Sequence, residues 1–303
     1  MKATAQVLTA PPPARRLALP TVALALPFVL IWTSAFPAAK IGLADSPPLI
    51  FLAARFLTAG ALLLGWAALR GELRSLSVRD LATLALLGLL NHALYLGLSW
   101  TGMGTLSSGL TTIIISANPI LVALFSAALL GERLSGRKLA GLALGFAGVV
   151  LIARNRLAGG SDPAEGLLLV TGALLTLALG TVLFKRLRVS VGLAANTGLQ
   201  TFLAGALLLP LALATENPAD VHLTAGFLAA FAWMVAVVSI GAYLLWFALL
   251  ERGSASAASA WLFLAPPLGL AAGELLLGEQ VGAADYLGIL PVVLGIALVT
   301  RAR

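Results

Sequence analysis

His92 sits in a long apolar run, and Tyr95 and Ser99 follow it at i+3 and i+7, on one face of a helix. Ser108, Thr112 and Ser116 repeat every fourth residue ahead of Pro119, and Trp32 is followed by Phe36 and Lys40 at the same interval. Tyr243 and Trp261 add aromatic surface later in the chain. Imidazole, phenol and hydroxyl groups beside aromatic rings can hold a small amphipathic molecule by hydrogen bonds at one end and apolar contact at the other. Bond-making chemistry is poorly supported. Ser107-Ser108-Gly109 with His92 invites comparison with an intramembrane serine protease, but an internal repeat of the chain accounts for both segments. No catalytic residue is expected. The chain has no cysteine and no deep pair of carboxylates, so neither a metal nor a cofactor is expected. No G-x-x-x-x-G-K-[ST] run is present, so any transport driven by this chain would draw on a gradient.

The elements that must position these residues cross a membrane. The 303 residues are 60% hydrophobic and 10% charged, against roughly 25% charged in soluble domains. Each span needs about 20 apolar residues, and ten apolar runs can be traced. They cover 19–39, 48–69, 80–100, 105–130 and 136–153, then 164–185, 193–213, 225–247, 254–277 and 283–300. The expected fold is an all-α membrane protein with ten transmembrane helices. Residues 1–18 form a basic tail with Lys2, Arg15 and Arg16, and the first apolar run is long enough to be a span, not a cleaved signal.

Most of the 19 Lys and Arg fall on one set of alternating connections, among them Arg70, Arg74 and Arg79; Arg133, Arg137 and Lys138; and Lys185, Arg186 and Arg188. The positive-inside bias puts these, and both termini, in the cytoplasm. The net charge of +7 is then a topology signal that requires no nucleic acid.

The chain also repeats itself. Pro119 to Arg154 aligns without a gap on Pro266 to Arg301, matching Gly131-Glu132 to Gly278-Glu279, Gly141 to Gly288 and Gly148 to Gly295. ARFLTAGALLL around Arg55 matches LQTFLAGALLL around Gln200. Residues 19–158 and 159–303 read as two five-helix repeats within one membrane domain. An odd number of spans per copy makes the repeats inverted.

These residues resemble the EamA-type branch of the drug/metabolite transporter superfamily. The resemblance rests on WTSAFPAAK, AARFLTAG and the paired NPILVALFSAALLGE and APPLGLAAGELLLGE, and covers essentially the whole chain. Within that group, NHALYLGLSW is similar to the YddG-type amino acid exporters. The resemblance implies ten helices in two halves and export of small metabolites. A bacterial-type inner membrane is the expected setting, and the pseudo-symmetry within one chain makes a monomer sufficient, the oligomeric state itself being left open.

At about 1.5 Å per residue, His92 lies about 18 Å along its span, near mid-depth, as does Trp32. Inverted-repeat carriers bind substrate there, so the candidate substrate residues are His92, Tyr95, Trp32, Ser108, Thr112, Ser116, Tyr243 and Trp261. Helix–helix hydrogen bonding by Ser, Thr and His is the other reading of the same groups. Asn91 is about 100° around the helix from His92 and need not face the same cavity. Trp66 and Trp246 lie where interfacial anchoring is expected.

Pro119 and Pro266 stand at equivalent mid-helix positions and read as kinks and possible hinges. Lys40, Arg55 and Glu274 fall toward the outer side and form a candidate ion cluster, with snorkelling of each as the alternative. Glu132 and Glu279 read as helix-end contacts. The expected function is export of an amino acid-like molecule by alternating access. A hydrophobic-drug/proton exchanger, with Glu274 as its carboxylate, is the rival, and a channel-like facilitator fits less well.

Overall fold

The computed structural model describes residues 21–73, 76–103, 105–106, 108–153, 163–269, 271 and 283–301. Its elements are helical, and no strand occurs among the described residues. They are α1 (Thr21–Leu43), α2 (Pro48–Leu69), α3 (Val78–Met103), α4 (Ser108–Ser116), α5 (Asn118–Leu130), α6 (Gly136–Ala153), α7 (Ala164–Leu187), α8 (Leu193–Thr215), α9 (Ala225–Arg252), α10 (Ala255–Ala260) and α11 (Ala283–Thr300). A 3-10 turn, Trp261–Leu264, follows α10. Among the described residues, 7 helices are long and apolar enough to cross a membrane: α1, α2, α3, Ile113–Leu130, α7, α8 and α9. The repeat boundary expected near residue 159 lies outside the described residues.

Local sequence explains several helix starts. Ser77 and Asp80 form a reciprocal capping box at α3, each side chain accepting the other's backbone N–H. Thr224 caps α9 and Ser254 caps α10 through their hydroxyls. Pro48 opens α2, where its missing N–H has no intrahelical partner to lose. Gly131 closes α5 with φ of 68°, a left-handed conformation that favours glycine.

Two expectations need correction. The runs 105–130 and 254–277 were expected as continuous helices with Pro119 and Pro266 inside them. The first breaks at Ala117, and Pro119 becomes the second residue of α5. The span Ile113–Leu130 is thus interrupted at Ala117, two residues before Pro119, whose missing N–H falls in the first turn of α5. The second passes from α10 into the 3-10 turn, and Pro266 follows that turn closely.

The long helices pair in a reciprocal pattern: α2 lies along α8, α6 along α11, α3 against α7 and α1 against α9. Glycines allow two of these contacts. A methyl group on Gly141 would meet the Gly295 carbonyl oxygen at 2.8 Å, and one on Gly148 would meet the Gly288 carbonyl oxygen at 2.6 Å. Residue numbers therefore rise along α6 as they fall along α11, so the pair is antiparallel. Between α2 and α8, Gly60 faces the Phe202 backbone nitrogen at 2.5 Å and Gly205 faces that of Leu57 at 2.8 Å, again antiparallel. Such close backbone approach is how membrane helices gain dispersion contact without a hydrophobic drive between them.

Polar contacts are reciprocal too. Glu216 accepts the Leu49 and Ile50 N–H groups at the start of α2, at 3.0 and 2.8 Å. Glu72 accepts the Ala195 N–H at the start of α8, at 3.2 Å. In each case a carboxylate meets the positive end of a helix.

Candidate functional site

α3 and α9 each contain a π-helical stretch, Leu89–Leu94 and Met234–Ala242, immediately before Tyr95 and Tyr243. The wider π turn rotates the downstream residues relative to ordinary helical phase. Asn91 and His92 both lie within the first stretch and are buried, and Asn91 lines the central cavity.

There an aromatic cluster joins α1, α3 and α9. Trp32 stacks near Tyr95, with centroids 6.3 Å apart and planes 11° off parallel, and meets Tyr243 edge-on at 6.0 Å. His92 meets the Tyr243 ring edge-on at 4.3 Å. Phe28 stacks on Trp246 at 5.0 Å. A cavity of about 20 Å³ remains, room for about one water, lined by Phe28, Trp32, Asn91, Tyr243, Trp246 and Phe247 among others. The centre is therefore closed around a volume far below that of a metabolite.

Buried polar groups are left without partners here: both ring nitrogens of His92, Asn91 Oδ1, the Tyr243 hydroxyl and the Trp261 indole N–H. Such orphans are costly in an apolar interior, and a bound molecule or water reaching this centre would complete them. Gln200 bridges outward from this centre. It accepts from Asn91 Nδ2 at 3.4 Å and donates to Asn196 Oδ1. Asn196 lines a second cavity of about 300 Å³, together with Lys185, Arg188, Ser190 and Glu251. An amide ladder thus joins the larger cavity to the closed centre.

The structure gathers some of the sequence-derived residues and separates others. Trp32, His92, Tyr95 and Tyr243 come together. Trp261 is half-buried beside them, and Ser116 is buried in α4. The side chains of Ser108 and Thr112 and the whole of Glu274 and Glu279 lie outside the described residues. Lys40 is exposed, whereas Arg55 is 1% exposed and donates to Ser239 at 2.6 Å. Sequence reasoning missed Phe28, Phe247 and Trp246. The interfacial reading of Trp246 fails because it is 5% exposed and stacked on Phe28. Trp66, at 56% exposed, fits that reading.

Glu132, past the end of α5, makes another polar cluster. It accepts from the Ala255 N–H at 3.0 Å, the Ser256 hydroxyl at 2.6 Å and Lys138 Nζ at 3.0 Å. Arg186 donates to the Leu129 carbonyl at 2.8 Å nearby, and Lys185 to the Leu250 and Gly253 carbonyls. These contacts tie the end of α5 to the starts of α6 and α10, and the end of α7 to α5 and α9.

This arrangement defines a multi-pass helical membrane protein with a buried aromatic and polar centre. Comparison with known proteins gives the class a name. The EamA-like transporter family profile matches twice, over residues 19–154 and 164–301, and the chain belongs to that family of membrane transporters. It is 33% identical over 273 residues to the uncharacterized transporter YvbV of Bacillus subtilis, spanning 89% of this chain and 88% of that one. It is 28% identical over 284 residues to the uncharacterized inner membrane transporter YedA of Escherichia coli K12, at 90% and 88% coverage. Protein PecM of Dickeya dadantii is 29% identical over 208 residues, covering 68% and 69%. One crystal structure matches with a TM-score of 0.79 at 20% identity, over 92% of this chain and 96% of that chain, a likeness of fold.

Proposed function

We propose that the chain exports small amphipathic metabolites, amino acids foremost, by alternating access around the aromatic centre. The two halves are read as inverted five-helix repeats, ten spans in all, with both termini in the cytoplasm of a bacterial-type inner membrane. The antiparallel packing of α2 on α8 and α6 on α11, the paired π segments and the reciprocal Glu216 and Glu72 caps support that reading. The observation that carries the function is the closed centre itself. Trp32, Tyr95 and Tyr243 supply aromatic walls, while His92, Asn91 and the Tyr243 hydroxyl offer unsatisfied hydrogen-bonding groups. An apolar or aromatic side chain fits the first set and a polar end the second. The centre must widen for substrate to enter. The 300 Å³ cavity beside the amide ladder is the natural approach from the cytoplasm.

Purified protein in liposomes is expected to exchange labelled aromatic or branched amino acids. Trp32→Ala, which removes one ring of the cluster, should lower the rate roughly 3- to 10-fold, the equivalent of one lost aromatic contact. His92→Ala and Tyr95→Ala should weaken exchange without unfolding the protein. A folded protein that moves another metabolite and no amino acid would sink the substrate assignment. Full activity in all three variants would remove the centre from the pathway.

A further inference from the structure

We propose that Arg55 is the anchor for a substrate carboxylate, which docks between its guanidinium and the Tyr243 hydroxyl. The proposal rests on the reading of the aromatic centre as the transport site. Arg55 heads the fully buried side chains by size, at 1% exposed, about two turns into α2. Its Nε donates to the Ser239 hydroxyl at 2.6 Å, and its guanidinium carbon lies 5.3 Å from the Phe56 ring centroid. A guanidinium carries five N–H donors, and Nε–H is the one that goes to Ser239. Neither the Arg70–Glu72 nor the Lys138–Glu132 ion pair involves Arg55. A cation buried within a membrane bundle is costly unless something pairs with it.

The repeat supplies an internal control. Gln200 occupies the matching position of the second half, is also buried, and is satisfied by Asn91 and Asn196. The packing of this position therefore needs a long polar side chain but not a charge, and only the first half carries one. A role in packing alone does not explain the guanidinium.

Its surroundings point to the ligand. Ser239 and Tyr243 are one turn apart on α9, and the Phe56 ring beside the guanidinium meets His92 at 5.7 Å, which in turn meets Tyr243 at 4.3 Å. The Tyr243 hydroxyl, without a partner, belongs to a side chain lining the central cavity. A carboxylate can accept from guanidinium and phenol together, and a single cation matches a monoanion better than a phosphate dianion. The opening that admits it is the one that transport already requires.

The test uses purified wild-type protein with Arg55→Gln and Arg55→Lys, each first shown to melt cooperatively without ligand. Binding is followed by tryptophan fluorescence with three probes sharing one side chain: phenylalanine, phenethylamine (no carboxylate) and 3-phenylpropionate (no amine). Wild type should bind the two carboxylates roughly 10- to 100-fold more tightly than the amine, the range of a charge-assisted hydrogen bond. Arg55→Gln should abolish that preference, and Arg55→Lys should retain part of it. An unchanged preference in Arg55→Gln overturns the proposal, as does a wild type that favours the amine or binds no carboxylate. Binding of 3-phenylpropionate without phenylalanine removes the amino acid reading while leaving Arg55 as a carboxylate anchor. Binding of phenylalanine that ignores Arg55 does the reverse.

Discussion

Glu132→Ala should destabilise the folded protein by about 2–3 kcal/mol, seen as a lowered melting temperature in detergent. That is somewhat below the loss for breaking a fully buried ion pair, because Glu132 is only partly buried. The change removes the acceptor for the Ala255 N–H, the Ser256 hydroxyl and Lys138 at once. It leaves Lys138, 6% exposed, without its counter-ion and the start of α10 without its carboxylate. Burial alone would raise the Glu132 pKa. The hydrogen bonds from Ser256 and Lys138, the Lys138 charge and the Ala255 N–H outweigh it and hold the carboxyl below its ordinary 4.5. A lowered folded-state pKa means that the carboxylate stabilises the fold above the ordinary value. That contribution is lost as pH falls through the lowered one. The stability gap between wild type and Glu132→Gln should therefore be widest at neutral pH and shrink below pH 4.5. An equal gap at pH 7 and pH 4 would contradict this account of the cluster.

The second large effect is expected at Gly60. A methyl group there would stand 2.5 Å from the Phe202 backbone nitrogen and 2.6 Å from its Cα. Backbone cannot rotate away as a side chain can, so Gly60→Val must push α2 and α8 apart, costing about 3 kcal/mol or more. Loss of most folded protein is the expected result, measured as monodisperse yield and melting temperature. Gly65 in the same helix is the control, because nothing lies within 4 Å of the position its Cβ would take. Gly65→Ala should be neutral or stabilising by up to about 1 kcal/mol, since alanine is the better helix former. Similar behaviour of the two variants would show that the α2–α8 approach does not limit stability.

Much of this architecture is legible in the sequence because lipid imposes a simple code. Apolar runs of the right length mark helices, and the ends of α2, α7 and α11 fall close to those read from hydropathy. The glycines matched in the repeat, Gly141 with Gly288 and Gly148 with Gly295, are the ones at which α6 and α11 approach each other. Trp32, His92, Tyr95 and Tyr243 were found because polar or aromatic groups at mid-depth are conspicuous in an apolar chain. The remainder was hidden for identifiable reasons. The π turns before Tyr95 and Tyr243 leave no mark in an apolar 3.6-residue pattern, and Asn91 faces inward only once the neighbouring helices are placed. Phe28 and Phe247 look like any lipid-facing apolar residue until the partner helices are placed. Arg55 read as outer-side because depth along one helix says nothing about which neighbour covers it. Only the fold puts Ser239 against it.

The central claim is that two copies of one unit cross the membrane in opposite directions around a shared centre. Arg70 and Asn217 occupy matching connections of the two halves, and both are exposed. The chain has no cysteine, so Arg70→Cys and Asn217→Cys can each be labelled alone in whole cells with a membrane-impermeant maleimide. Opposed copies predict that Asn217→Cys is labelled from outside, whereas Arg70→Cys is labelled only after the membrane is opened. Labelling of both from the same side would contradict the account.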